Sequence, residues 1–149
     1  MTTLPRPNGF RVLIADDDDA VQRLLTILFE REGWDVVRAT NGIEALEMIR
    51  SHAPDAILLD LMMPDSSGFD VLRELRDLAP ALLRQIIVLT AAAPNMIGDL
   101  GQFGEIWKML RKPFDINELR GEVLACASQG PLTRRPASSA GGWPARTAP

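Results

Sequence analysis

Phe10-Arg11-Val12-Leu13-Ile14-Ala15 runs directly into Asp16-Asp17-Asp18-Asp19. A short, unbroken apolar run reads as a strand buried on both faces, and such strands belong to parallel sheets covered by helices. This strand stops abruptly on a row of carboxylates. The same grammar recurs down the chain. Ala56–Leu59 ends on Asp60, Gln85–Leu89 ends on Thr90, and Ile106–Leu110 leads into Lys112-Pro113. Trp34–Arg38 reads as a further, weaker strand.

Helical patterns fill the gaps. Val21, Leu24, Leu25, Leu28 and Phe29 make one stripe at helical spacing, with Gly33 placed to end it. Asn41 followed by Glu44 starts a second helix that turns Ala45, Leu46 and Ile49 inward before Pro54. A turn-rich loop, Met62-Met63-Pro64-Asp65-Ser66-Ser67-Gly68, precedes a third helix carrying Val71, Leu72, Leu75 and Leu78 and stopped by Pro80. Asp115 caps a last helix with Ile116, Leu119, Val123 and Leu124 facing in. Ala91–Glu105 is the least regular stretch. Met96, Ile97, Leu100 and Phe103 suggest a helix, but Gly98, Gly101 and Gly104 each weaken it by roughly 1 kcal/mol relative to Ala, so a short or mobile helix is expected. Five strands alternating with helices predict an α/β, doubly wound parallel sheet with right-handed crossovers and helices on both faces.

Bulk composition sets the outer limits. The 149 residues allow one ordinary domain, expected over residues 10–128, with a flexible start at 1–9 and a Gly-, Pro-, Ser- and Arg-rich tail or linker at 129–149. No apolar run is long enough to span a bilayer, residues 1–9 show no secretory pattern, and cytoplasmic location is expected. The lone Cys126 allows neither an intrachain disulfide nor a Cys/His zinc site; it reads as a small apolar residue on the inner face of the last helix. Residues 130–149 hold Arg134, Arg135 and Arg146 and no acid, which leaves 13 basic and 20 acidic residues, a net −7, on the remainder. So acidic a body argues against direct nucleic-acid binding and suits a bound cation.

The chemistry collects at strand ends. Asp16 and Asp17 follow strand one, Asp60 ends strand three, Thr90 strand four, and Lys112 follows strand five. In a parallel sheet these positions share the carboxyl edge, where open α/β folds bind ligands. Crowded carboxylates repel and raise one another's pKa unless a cation neutralises them. A hard divalent ion with oxygen ligands answers that need, and Mg²⁺ suits a site that also handles phosphate. One carboxylate can then attack phosphorus to give an aspartyl phosphate, while the metal, Lys112 and Thr90 stabilise the transferred group. Singly, each residue has an ordinary reading: Asp16–Asp19 as charge at a helix N-terminus, Asp60 and Lys112 as turn residues, Thr90 as a strand former. Their joint occurrence at four strand ends is what points to a site.

Val12-Leu13-Ile14-Ala15-Asp16-Asp17-Asp18, Leu58-Leu59-Asp60-Leu61-Met62-Met63-Pro64, Gly68-Phe69, Leu89-Thr90-Ala91 and Arg111-Lys112-Pro113-Phe114 together resemble the receiver-domain family of two-component signalling over about residues 10–127. Asp17, Asp60, Thr90 and Lys112 stand 43, 30 and 22 residues apart, as in that family. The resemblance implies a flavodoxin-like sheet of order 2-1-3-4-5 and a cis Lys112–Pro113 bond. It implies that Asp60 is the phosphoacceptor, that Asp17, Asp60 and the Met62 carbonyl ligate Mg²⁺ with Asp16 helping through water, and that Thr90 and Lys112 contact the phosphoryl group. The implied partner is a sensor histidine kinase or a histidine phosphotransfer protein, with a downstream protein target unnamed and the chain a monomer or weak homodimer. The protein is then a phosphoacceptor rather than an enzyme, either a stand-alone receiver or part of a longer regulator.

Three departures from the family stand out. The aromatic often found three residues before the lysine is Met109, and Trp107, two residues earlier, is the one candidate to share its side of the strand. The segment Ala91–Glu105 is glycine-rich, and its mobility is expected to report phosphorylation. The positions two after Asp60 and two after Thr90 are Met62 and Ala92, unable to hold a water for attack, which predicts a long-lived phosphoprotein. Two other functions fit parts of the pattern: a pseudo-receiver that binds partners unphosphorylated, and an aspartyl-nucleophile phosphatase, although Met62 stands where such enzymes carry a second acid. His52 is given no role, Trp34 and Trp107 read as partly buried packing residues, and Trp143 reads as incidental or as a short docking motif.

Overall fold

The computed structural model describes residues 9–129 except 94, 96, 97 and 99. Five parallel strands, β1 (Arg11–Ala15), β2 (Asp35–Ala39), β3 (Ala56–Asp60), β4 (Ile86–Thr90) and β5 (Lys108–Arg111), form one sheet in the order β2-β1-β3-β4-β5. The expected order and parallel sense are both observed. Register is continuous: Ile14 lies beside Leu58, Leu58 beside Ile87, and Ile87 beside Lys108. β3 and β4 are buried along their whole length, which is why they read as uniform apolar runs.

Among the described residues, four α-helices cover the sheet: α1 (Asp19–Arg31), α2 (Gly42–His52), α3 (Gly68–Leu78) and α4 (Ile116–Ala127). Alternate strand residues divide the core. Val12, Ile14, Leu58, Ile87 and Leu110 pack with α1 and α4 around Phe29 and Val123. Leu13, Ile57, Leu59 and Val88 pack with α2 and α3 around Ile49 and Leu75. Helix starts follow the expected chemistry. Asp18 caps α1, Asn41 caps α2, and Asp115 caps α4. Ser67 and Asp70 close a reciprocal capping box on α3.

Several sequence readings need correction. The α1 stripe is rotated by about one residue: Gln22, Leu25 and Phe29 are buried, while Leu24 is exposed. On α4 the inner residues are Leu119, Val123, Cys126 and Ala127, and Leu124 faces out. A 3-10 turn over Pro80–Gln85 precedes β4, so Gln85 is turn and not strand. Within Ala91–Glu105, Asn95 is helical, as a short helix there would have it, and a 3-10 turn spans Leu100–Phe103, anchored by buried Phe103; Met96 and Ile97 lie outside the described residues. Residues 1–8 and 130–149, Trp143 included, also lie outside them. The packed body continues through Gln129, whose Nε2 donates to the carbonyls of Arg84 and Cys126.

Candidate functional site

The carboxyl edge of the sheet gathers the residues expected there. Asp16 leaves β1 with its N–H on the carbonyl of Ala39, last residue of β2. Its side chain is buried, accepting the Asp18 N–H on Oδ1 at 2.8 Å and the Lys112 ammonium on Oδ2 at 2.7 Å. Asp60 ends β3, also buried. It accepts the Met62 N–H at 3.1 Å and the Lys112 ammonium at 3.3 Å. Asp17 is exposed, and one carboxylate oxygen from each of Asp16, Asp17 and Asp60 can lie within 4.8 Å of the others. The run of four aspartates thus divides its labour. Asp16 and Asp17 face the crevice, Asp18 caps α1, and exposed Asp19 pairs with Arg23 one turn on.

Two glycines let the walls close. A Cβ on Gly68 would collide with the Asp60 carbonyl oxygen and come 2.7 Å from the Leu61 Cα, so only glycine lets α3 start this close to β3. A Cβ on Gly42 would collide with Ser66, whose carbonyl accepts the Gly42 N–H at 2.6 Å. The loop after Asp60 is therefore clamped at both ends.

Electrostatics fit a cation-binding crevice. Burial pushes the Asp60 carboxyl above its ordinary range; the Met62 N–H opposes this, Asp16 adds to it, and Lys112 opposes it without cancelling the rise. Burial works against the Lys112 ammonium, yet the hydrogen bond and charge of Asp16, with Asp60 behind, hold its pKa above the usual lysine value. One ammonium thus serves two buried carboxylates while a third stands beside them. An all-oxygen donor set at this spacing fits a hard divalent cation.

The remaining expected residues are placed less directly. Thr90 is fully buried at the end of β4, its hydroxyl oxygen accepting the Ala92 N–H at 3.0 Å and its carbonyl accepting the Lys112 N–H at 2.9 Å. Met62 contributes its N–H to Asp60 while its side chain is half exposed. The Lys112–Pro113 bond is cis. Trp107 does not share a face with Met109. Its indole N–H donates to Glu122 on α4 at 3.0 Å within the α1/α4 side of the core, whereas Met109 packs on the opposite side. It is no substitute for the missing aromatic.

The sequence reading missed Gln22. Its amide, buried inside α1, donates to the carbonyls of Ile14, Asp16 and Ala39 at 2.8–2.9 Å. The available signal was a polar residue three before Leu25 and seven before Phe29, on the face that is in fact buried.

Comparison with known proteins agrees with this geometry. The Response regulator receiver domain family matches residues 12–124. Sporulation initiation phosphotransferase F of Bacillus subtilis is 32% identical over 114 residues, covering 76% of this chain and 90% of that protein. Response regulator MprA of Mycobacterium ulcerans is 39% identical over 117 residues, or 77% of this chain, which spans only 49% of the length of that regulator. Among solved structures, the receiver domain of sensor histidine kinase PA1611 from Pseudomonas aeruginosa PAO1 superposes with a TM-score of 0.71 at 26% identity. It covers 80% of this chain and 98% of its own, and it carries a magnesium ion coordinated in its active-site cleft. With its strand order, its acidic crevice and the match over residues 12–124, the chain belongs to the response regulator receiver domain family.

Proposed function

We propose that the chain, one receiver domain over residues 10–128, is a cytoplasmic phosphorylation switch that takes a phosphoryl group from the phosphohistidine of a sensor kinase or phosphotransfer protein onto Asp60. The carrying observation is the Asp16, Asp17, Asp60 and Lys112 cluster at one sheet edge. Asp17 and Asp60, with the Met62 carbonyl, would hold Mg²⁺, and Asp16 would assist while retaining Lys112. The metal supplies charge neutralisation for the incoming phosphoryl group.

In the transfer, an Asp60 carboxylate oxygen attacks phosphorus and the P–N bond to the donor imidazole breaks; its electron pair stays on that nitrogen, and the imidazole leaves neutral because its other ring nitrogen already carries a proton. Lys112, already within reach of Asp60, neutralises the new charge. The phosphate adds about −1.5 to −2 charges to a buried pocket. Thr90 then exchanges its local contact with Ala92 for a phosphoryl oxygen, which biases the β4–β5 side toward a second arrangement. Catalysis is limited to the chain's own phosphorylation and dephosphorylation.

The test is intact-protein mass after incubation with Mg²⁺ and acetyl phosphate. One added phosphoryl group, absent in Asp60→Ala, is the expected result; an adduct that survives the mutation overturns the assignment. The neighbours of the acceptor carry a second expectation. Met62 and Ala92 offer no side-chain hydrogen bond to an attacking water, so the phosphoprotein decays slowly. A lifetime of seconds in Mg²⁺ buffer contradicts this.

A further inference from the structure

We propose that Gln22 is a positioning residue for the acidic crevice: by holding the Asp16 carbonyl, it fixes the peptide plane that joins Asp16 to Asp17. Gln22 lies one turn into α1 and is 4% exposed. Its Nε2 donates to the Asp16 carbonyl at 2.9 Å, to the Ile14 carbonyl at 2.9 Å and to the Ala39 carbonyl at 2.8 Å. These oxygens belong to the place where β1 and β2 end, beyond which the ladder no longer supplies N–H donors to both strands. The Ala39 carbonyl already takes the Asp16 N–H, but the Asp16 carbonyl lies past the end of β1, and a buried carbonyl there needs another donor, which Gln22 supplies. The two N–H groups of a single amide are shared among all three.

The consequence for the site is geometric. The carbonyl of Asp16 and the N–H of Asp17 lie in one rigid plane. Holding that oxygen sets the direction in which the chain leaves Asp16, and with it the positions of both carboxylates. Asp16 is then secured at three further points: its N–H on Ala39, its Oδ1 on the Asp18 N–H, and its Oδ2 on Lys112. The acidic pair thus meets Asp60 already oriented, as groups behind a metal site orient its ligands. Gln22 touches neither the carboxylates nor the place for the ion. It acts through the backbone.

The molecule contains its own control. Gln85 is also buried, and its Nε2 donates to the carbonyls of Pro54 and Asp55 at 2.7 and 3.2 Å. That is the amino end of β3, the opposite edge from the site. Gln22→Met and Gln85→Met each remove a buried donor and keep chain length, so both should lower the unfolding midpoint of the metal-free chain. A purely structural role predicts no further difference between them.

The inference rests on the receiver reading, so the experiment is a calorimetric Mg²⁺ titration of the full unphosphorylated chain, with metal-free thermal unfolding alongside. Gln22→Met is expected to weaken Mg²⁺ about tenfold or more, and Gln85→Met to bind as wild type. Gln22→Asn, which keeps the amide but withdraws it by one methylene, covers the case in which Gln22→Met does not fold; it should weaken Mg²⁺ in the same direction. Wild-type affinity in a folded Gln22 variant, or equal losses in Gln22→Met and Gln85→Met, overturns the inference while leaving the receiver reading intact. Absence of Mg²⁺ binding in the wild type removes both.

Discussion

The half of the sheet built on β2, β1 and β3 differs from the half built on β4 and β5 in how its strands are covered. In the first, each strand is followed by an α-helix started by a side-chain cap, from Asp18, Asn41 or Ser67. In the second, β5 is followed by the Asp115-capped α4, but β4 is entered from a 3-10 turn with no side-chain cap, and the described part of the β4–β5 connection holds the helical Asn95 and a 3-10 turn between Gly98 and Gly104, both at positive φ. β5 is a four-residue edge strand with only Leu110 fully buried. The acidic residues come from the first half, Thr90 and Lys112 from the second. A carboxylate cluster must have its geometry ready before the cation arrives, whereas the groups that follow the phosphate must be able to move. The division suits a switch whose acceptor strand is flanked by capped helices and whose Thr90 and Lys112 come from the side held by shorter turns.

Glycine substitutions test that division most severely. Gly68→Ala forces a methyl against the backbone of Asp60 and Leu61, which cannot withdraw without moving the acceptor. We expect a loss of about 3 kcal/mol, a fall in the unfolding midpoint of roughly 10 °C, and greatly slowed phosphorylation by acetyl phosphate. Gly98→Ala, at φ 65° with open space around the new Cβ, should lose only about 1 kcal/mol of backbone preference and leave Mg²⁺ affinity unchanged. Equal losses at the two sites, measured by thermal unfolding, would break the contrast between the halves.

The same contrast explains what could be read in advance. β1, β3 and β4 announce themselves because parallel strands buried on both faces carry no alternation to confuse them, and Asp16, Asp60, Thr90 and Lys112 sit where those strands stop. The caps at Asn41 and Asp115 were legible for a local reason: a side chain bonding its own helix leaves its mark within four residues. The failures have a tertiary cause. Leu24 and Leu124 fit a helical stripe as well as their buried neighbours do, and only the packing angle of each helix decides which leucine faces solvent. Gln22 was passed over because a buried amide is recognised by three carbonyls from two strands, none of them near it in the pattern. Trp107 was expected to share a face with Met109 because strict alternation puts residues two apart on one side; β5 begins only at Lys108, so alternation does not reach Trp107.

Cys126 sharpens the comparison from the other side, because the amino edge of the looser half is tightly sealed. Its thiol is buried against the Arg84 carbonyl and the Gln129 amide, and burial pushes its pKa from 9.0 up to about 12. The folded state therefore keeps its proton where the unfolded state loses it. Stability from this group is complete below pH 9 and declines as pH rises toward 12. Relative to Cys126→Ala, the wild type should lose on the order of 1 kcal/mol between pH 8 and 10, read by denaturant unfolding at each pH. With no tyrosine in the chain, few other groups obscure the effect. Rapid alkylation of the folded protein at pH 8 would contradict so sealed a position.

The smallest effect is expected at a polar clasp that ties β5 to α4. Glu122 accepts the Trp107 indole N–H at 3.0 Å and the Lys108 ammonium at 2.8 Å, and that ammonium, followed by the indole, holds its carboxyl below the usual glutamate value of 4.5 despite partial burial. Glu122→Gln keeps an acceptor for the indole and removes the charge, so the loss in unfolding midpoint should be slight and should shrink at high salt. The sign follows from the lowered pKa: the charge contributes above pH 4.5 and is lost as pH falls through the folded value. Wild type and variant should therefore converge in stability once the pH lies below that folded value. If they remain apart there, the clasp acts through packing of Trp107 rather than through charge, and β5 is held to α4 more firmly than its exposed edge suggests.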